Sequence, residues 1–294
     1  MSVAYQGIAG AFSEAAAAAL FPDGPPEPRD TFAEVFAALE QGEVDAAVVP
    51  VENSYAGAVA DVYDLLQRHR SVAIVAEAML RVRHHLLGIR GASLEGIRAA
   101  RSHPQALAQV DAFLRRHDIR PIATYDTAGA AAEVAELGDP SVAAVARARA
   151  AERYGLAVLA TSIESSSENL TRFFALSRAD RTDVSARIPG SLRSGPPKTS
   201  LAYATANVPG ALVRSLQPFA TAGLQLTKIE SRPSQAAPWD YVFYLDVEAD
   251  PSRSPAAEAF ALMRVCCAWV HVLGTYPAAT SVIDADPSVS AARP

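Results

Sequence analysis

Short apolar runs alternate with amphipathic, helix-like stretches through the first 178 residues. Residues 3–6 read as a strand, and Gly7, Gly10 and Ser13 then lead into an alanine-rich helix with Ser13 as its N-cap. Thr31 and Glu34 have capping-box spacing and open a helix that ends at Gly42. Residues 44–49 form the next apolar run. Pro50 has no N–H to donate, so pairing should stop there, and Glu52, Asn53 and Ser54 follow where the strand runs out. A helix over 58–68 and strands over 72–78 and 86–89 come next. "SHPQ", residues 102–105, reads as a second capping box, with Ser102 as cap and Pro104 in the first turn. Its helix runs to 116. A strand at 121–124, a helix opened by Thr127 and closed by Gly138, a strand at 142–145, a helix at 147–154 and an aromatic strand at 171–176 complete the series. This alternation predicts an α/β fold covered on both faces, with ligands outside the carboxyl ends of the strands.

The pattern changes at 179–197, where few apolar residues, two glycines and three prolines predict a linker. A strand at 198–204, a helix at 210–222 stopped by Gly223, strands at 224–230 and 241–247, a helix at 255–270 and a strand at 272–276 then follow. That order is βαββαβ, a ferredoxin-like unit. The domains expected are therefore 1–178 and 198–277, with a small, polar tail at 278–294 expected to fray.

Composition narrows the class. Half of the 294 residues are hydrophobic, enough for packed cores. A net charge of −6 with no basic block argues against a nucleic-acid partner. The N-terminus lacks the charge and apolar run of a signal peptide, and no run is long enough for a membrane span. The two cysteines, Cys266 and Cys267, are adjacent and read as core hydrophobes of a cytoplasmic protein. His84 and His85 should face opposite sides of a strand, and neither HExxH nor CxxC occurs, so no metal is expected.

Polar residues collect at the strand-to-helix junctions. The clusters are Glu52–Asn53–Ser54, Ser102 with Gln105 and Gln109, Thr127 after Asp126, and Asn169 with Thr171 and Arg172. Together they suit a small carboxylate ligand, because helix N-termini favour anions. Taken singly, Ser13, Ser102 and Thr127 are explained as caps, His84 as a core histidine, and Arg147 and Arg149 as solvated helix residues. Glu52 needs a partner at an apolar strand end, and Arg172 is a candidate.

The clusters in this order resemble the prephenate dehydratase family. "VPVENSYAG", "SHPQALAQ" and "NLTRFFAL" carry the resemblance, with "YQGIAGAFSEAA", "HHLL", "DTAGAA" and "YGLAVL". The second domain resembles the family's regulatory ACT domain through "NVPGAL", "ESRP" and "GTYP". No chorismate mutase helices precede the first strand, so a stand-alone dehydratase is expected. The resemblance implies a two-lobed, periplasmic-binding-protein-like catalytic domain with its site in the cleft, acting on prephenate without a cofactor. It implies Thr171, Arg172, Glu52 and Asn53 as catalytic residues, with Thr171 supplying the key hydroxyl. Ser54, Ser102, Gln109, Thr127 and Phe173 would contact substrate. Phenylalanine would bind as inhibitor near Asn207, Pro209, Gly210, Ala211, Leu212, Glu230, Ser231 and Arg232, at a subunit interface of a homodimer or homotetramer. The chain departs from the family in having Asp126 where Ser is common, and in lacking a usual serine near Arg147.

The chemistry asks for positioning, a dry cleft and help for a leaving hydroxide. Thr171 is a poor acid alone, so Arg172 or Glu52 should polarise it. Two other readings are arogenate dehydration and a non-catalytic amino-acid sensor.

Overall fold

The computed structural model describes residues 1–166, 168–234, 240–284 and 286. From the N-terminus the chain forms β1 (Val3–Gln6), α1 (Phe12–Leu20), β2 (Pro26–Arg29), α2 (Phe32–Gln41), β3 (Ala46–Asn53), the short β4 (Gly57–Ala58), α3 (Ala60–Arg68) and β5 (Val72–Arg81). It crosses to β6 (His85–Gly88), β7 (Ala99–Ser102), α4 (Pro104–Gln109), α5 (Asp111–Arg116), β8 (Arg120–Ala123), α6 (Thr127–Leu137), β9 (Val142–Ala146), α7 (Ala148–Tyr154) and β10 (Ala157–Ala160). It returns through β11 (Leu170–Arg178). The last part holds β12 (Pro197–Ala204), α8 (Ala211–Thr221), β13 (Leu226–Pro233), β14 (Tyr241–Val247), α9 (Ala256–Cys266), β15 (Trp269–Pro277) and β16 (Val282–Asp284).

Three sheets result. The first lobe is ordered β16-β5-β11-β3-β1-β2, with β4 beside β3; the second is ordered β10-β6-β9-β7-β8. The chain passes between these lobes twice, at 82–84 and at 161–169. The third sheet, β13-β14-β12-β15, is antiparallel and has the strand order of a ferredoxin-like unit.

Several boundaries differ from expectation for identifiable reasons. β3 does not stop at Pro50. It runs on to Asn53, because a bulge absorbs the missing N–H: Phe173 pairs with Pro50 and Arg172 with Glu52, leaving Val51 as the extra residue. Thr31 caps α2 as predicted, its hydroxyl accepting from Glu34 N at 3.2 Å, and Gly42 closes it in the left-handed region. Three other caps move by one or two residues. Ala11, not Ser13, precedes α1; His103, not Ser102, caps α4 by accepting from Gln105 N; and Asp126, not Thr127, caps α6 by accepting from Gly129 N at 2.5 Å.

The linker and the described part of the tail are more ordered than their composition suggests. Two 3-10 turns, Val184–Arg187 and Gly190–Leu192, bury Val184 and Ile188 in the first lobe's core. The tail carries β16, which pairs parallel with β5, and Asp286 is buried. The rest of the tail, 285 and 287–294, lies outside the described residues. The third sheet packs directly on the first lobe: Ala202, Val242, Tyr244, Leu273 and Tyr276 join one core with Phe36, Val49, Ile74 and Phe174. A side chain at Gly274 would collide with the Ile74 carbonyl, so glycine allows β15 to lie against β5.

Candidate active site

A cleft of about 570 Å³ opens between the two lobes. The carboxyl ends of β1, β3 and β7 reach it, as do the starts of α1, α4, α6 and β11. Asn53, Thr171, Phe173, Gln109 and Thr127 line it, with Gln6, Phe12, His84, His103, Gln105, Tyr125 and Asp126. A smaller cavity of about 310 Å³ adjoins it and shares Ala56, Gln105 and Gln109.

Asn53 and Thr171 meet because they are cross-strand partners on one face of the β3–β11 ladder. The Asn53 amide nitrogen donates to Thr171 Oγ1 at 3.0 Å, to Asn169 Oδ1 at 2.9 Å and to Leu170 O at 3.1 Å. Its carbonyl accepts from the N–H groups of Tyr55 and Ala56, both at 3.0 Å. Asn169 donates to Gln109 Oε1 at 2.8 Å, and His84 Nε2 lies 2.7 Å from the same oxygen. That oxygen can only accept, so His84 carries its proton on Nε2. Burial lowers the His84 pKa from 6.5 to about 4, against the opposing Gln109 hydrogen bond, so the ring is neutral. Its Nδ1 is buried with no hydrogen-bond partner. A chain of amides thus runs from a neutral imidazole to the Thr171 hydroxyl. Since Thr171 Oγ1 accepts from Asn53, its own proton is available to the cleft.

Four expected site residues are placed elsewhere. Arg172, one position along β11, points to the opposite face and is buried. Its Nε donates to Glu77 Oε2 at 2.7 Å, Nη1 to Asp246 Oδ2 at 2.6 Å and Nη2 to the Tyr276 hydroxyl at 3.1 Å. Burial opposes its charge, but Tyr276, Asp246 and Glu77 together raise its pKa above the ordinary value. Arg172 therefore lies outside the cleft lining, on the face of β11 away from Thr171. Glu52 shares that face; it pairs with Lys228 at 2.9 Å and stands 3.9 Å from Arg172. Ser54 staples its loop, donating to Glu168 O and accepting from Leu170 N, each at 3.1 Å. Ser102 is fully buried and donates to Val145 O at 2.6 Å, fastening β7 to β9.

The expected anion-binding helix starts are partly self-capped, by His103 on α4 and Asp126 on α6. Among the described residues lining the cleft there is no lysine or arginine, while Asp61 and Asp126 are both present. No three His, Cys, Asp or Glu side chains gather as a metal site among the described residues. Among them, too, no helix is long and apolar enough to cross a membrane.

In the third sheet's unit, Asn207, Gly210, Ala211 and Leu212 line a pocket of about 230 Å³ with Asp240, Tyr241 and Phe243. Pro209, Glu230, Ser231 and Arg232 fall outside it. Pro209 accepts from Arg214, Glu230 stands beside Lys228, and Arg232 pairs with Asp64 of α3 at 3.1 Å.

Sequence reasoning assigned no role in the site to Gln6, Phe12, His84, His103 or Tyr125. "HHLL" was a usable signal for His84. "YQGIAGAFSEAA" was a signal of the same kind for Gln6 and Phe12, and "SHPQALAQ" for His103, while Tyr125 lay outside every such stretch.

Two α/β lobes joined by two crossovers, with polar side chains converging between them, define a two-lobed α/β architecture with its candidate site in the cleft. The family model for prephenate dehydratase matches residues 3–181. The chain is 40% identical over 290 residues to an Arabidopsis thaliana arogenate dehydratase/prephenate dehydratase 2, covering 96% of this chain and 74% of that one. It is 37% identical to a bifunctional N-acyl-homoserine lactone acylase/prephenate dehydratase from Komagataeibacter europaeus, covering 94% and 95%. The structure of the Arthrobacter aurescens prephenate dehydratase in complex with L-Phe superposes with a TM-score of 0.82 at 28% identity, covering 97% of this chain and 91% of that one. This chain belongs to the prephenate dehydratase family and is an enzyme with dehydratase activity.

Proposed function

We propose that the chain converts prephenate to phenylpyruvate, with Thr171 as proton donor to the departing oxygen. The observation that carries this is the Asn53–Thr171 hydrogen bond, which orients the hydroxyl so that it gives its proton into the cleft. The ring carboxylate leaves as carbon dioxide and its bonding electrons enter the ring. The ring C–O bond breaks, the oxygen leaves as water, and solvent restores the Thr171 proton. Aromatisation drives the step. Phe173 offers an apolar wall near the departing carboxylate, and holding that group by a cation would only stabilise the ground state. Thr127, Gln109 and Gln105 are the donors for the retained carboxylate.

The test is turnover of prephenate by the purified chain, followed as phenylpyruvate absorbance in alkali. Rates above the spontaneous background are expected. Thr171→Ala should lower kcat by roughly 10²- to 10⁴-fold with little change in KM. A Thr171→Ala enzyme of normal kcat would remove the threonine from its role.

One observation favours arogenate as a second substrate. Asp61 and Asp126 place negative charge at a cleft lined by no arginine or lysine among the described residues. Prephenate is a dianion, whereas arogenate carries an ammonium in place of the keto oxygen, which these carboxylates would complement. Comparing kcat/KM for the two substrates, and again in Asp126→Ser, decides the order. Arogenate should lose more than prephenate in the variant.

The βαββαβ unit is read as an ACT domain that senses phenylalanine in the pocket of Asn207, Gly210, Ala211 and Leu212. The L-Phe complex of the Arthrobacter aurescens protein supports an effector of this kind. Residues 230–232 would reach that effector only from a neighbouring subunit.

A further inference from the structure

Arg147 was expected to be a solvated helix residue, and the tail to be loose. Instead Arg147 and Asp286 of the tail share one buried cluster. Arg147 is 3% exposed and Asp286 4%. Asp286 Oδ1 lies 3.5 Å from Arg147 Nη2, and Oδ2 accepts from Ala148 N at 3.2 Å, at the start of α7. The same oxygen lies 3.7 Å from Nε2 of His85, which is wholly buried. Burial opposes ionisation of Asp286, but His85, Arg147 and the Ala148 N–H hold its carboxyl below the ordinary value.

Arg147 belongs to the second lobe, yet its Nη1 donates to Ala11 O of the first lobe at 3.1 Å. Its guanidinium stands 6.0 Å from the Phe12 ring. Beside it, the Tyr154 hydroxyl donates to Ala9 O at 2.8 Å, and Gly10 packs against Ala150. Ala11 and Phe12 line the cleft. These contacts hold one lip of the cleft to the opposite lobe. The segment that brings Asp286 there is itself anchored on the first lobe: β16 pairs with β5, and Asp284 pairs with Arg83 at 2.7 Å.

We propose that Asp286 is a positioning residue: β16 on the first lobe and Asp286 on the second form a strap between the lobes, and the Asp286 carboxylate holds Arg147 against the cleft lip formed by Ala11 and Phe12. The strap is a third link between the lobes, beside the two crossovers, and it begins directly after the last strand of the third sheet. A carboxylate at that point gives the Arg147 guanidinium a fixed partner in a site where an unpaired charge is unfavourable. Without it, Arg147 keeps the field of Glu14 but loses its buried carboxylate partner, and its hold on the Ala11 carbonyl loosens.

The kinetic half of the test rests on the dehydratase reading; the exchange half does not. Hydrogen exchange of the full chain is compared for the unsubstituted protein, Asp286→Asn, Asp286→Glu and Arg147→Met. Expected is faster exchange, by about tenfold, confined to residues 8–14 and 147–151 in Asp286→Asn and Arg147→Met, with partial recovery in Asp286→Glu. With substrate, KM should rise about fivefold while kcat stays within about twofold, as for loss of ground-state organisation. Unchanged exchange in both segments overturns the proposal. So does loss of protection throughout the chain, which would make Asp286 a general stability residue. If the unsubstituted chain turns over neither prephenate nor arogenate, the dehydratase reading fails and the exchange result still decides the strap.

Discussion

The Thr171 hydroxyl owes its orientation to an amide, and that makes Asn53 a sharper probe than its size suggests. In Asn53→Asp the side chain can only accept at neutral pH. The Thr171 proton would then turn toward the carboxylate and away from the cleft. A kcat loss of about 10²-fold is expected, with the protein still folded by circular dichroism. His84 lies at the other end of the same chain of amides and supplies a pH dependence of stability. Its folded pKa, about 4, is below the ordinary 6.5. The unfolded state therefore takes up a proton that the folded state refuses as pH falls below 6.5. The stabilisation is present above that pH and is lost as pH falls from 6.5 toward 4, by up to roughly 3 kcal/mol. Denaturant unfolding from pH 7.5 to 4.5 should show a shallower decline in His84→Gln than in the unsubstituted protein. Equal declines would mean that His84 is not the group responsible.

At the scale of elements, β11 is the decisive one, and period 2 explains it. Thr171 and Phe173 face the cleft, while Arg172 between them faces Glu77, Asp246 and Tyr276. Lys198 and Ser200 of β12 complete that cluster, bonding to Glu77 at 2.7 Å and Asp246 at 2.5 Å. Removing one carboxylate leaves a buried guanidinium short of a partner. Asp246→Asn should lower unfolding free energy by about 3 kcal/mol, read by denaturant titration. A change under about 0.5 kcal/mol would place the charge in solvent instead.

The same alternation is present in "TRFFAL" and by itself sets Arg172 on the other face from Thr171 and Phe173. The elements were legible because apolar period and capping residues are local. The caps at Ser102 and Thr127 were misplaced because each has a competent neighbour, His103 or Asp126. Only the backbone turn decides which residue precedes the first helical one. β2, β4, β7, β10 and β16 were missed because each is two to four residues long and gains its place from a neighbouring strand. Asp286 could not be found from its polar tail, since its side-chain partners lie more than 130 positions away.

At the scale of the whole molecule, the third unit touches the dehydratase lobes through the Arg172 cluster, through Lys228–Glu52, through Arg232–Asp64 and through a shared apolar core. An effector in the pocket at Asn207–Leu212 can act only if it favours one arrangement of these contacts. Gly210 starts α8 with φ of +78°, where a β-branched side chain is strained. Gly210→Val should abolish inhibition by phenylalanine while leaving turnover without effector unchanged. Loss of that turnover would instead mark a folding role. The Arg172 cluster also bears on how such chains can be recombined. Residues 1–178 grafted onto another unit would keep Glu77 on the Arg172 guanidinium but lose Asp246 and Tyr276, its two partners from the third sheet. A chimaera that lacks counterparts of Asp246 and Tyr276 leaves guanidinium N–H groups buried without their acceptors beneath Thr171, so the transplantable module is the lobes together with the sheet that closes over Arg172.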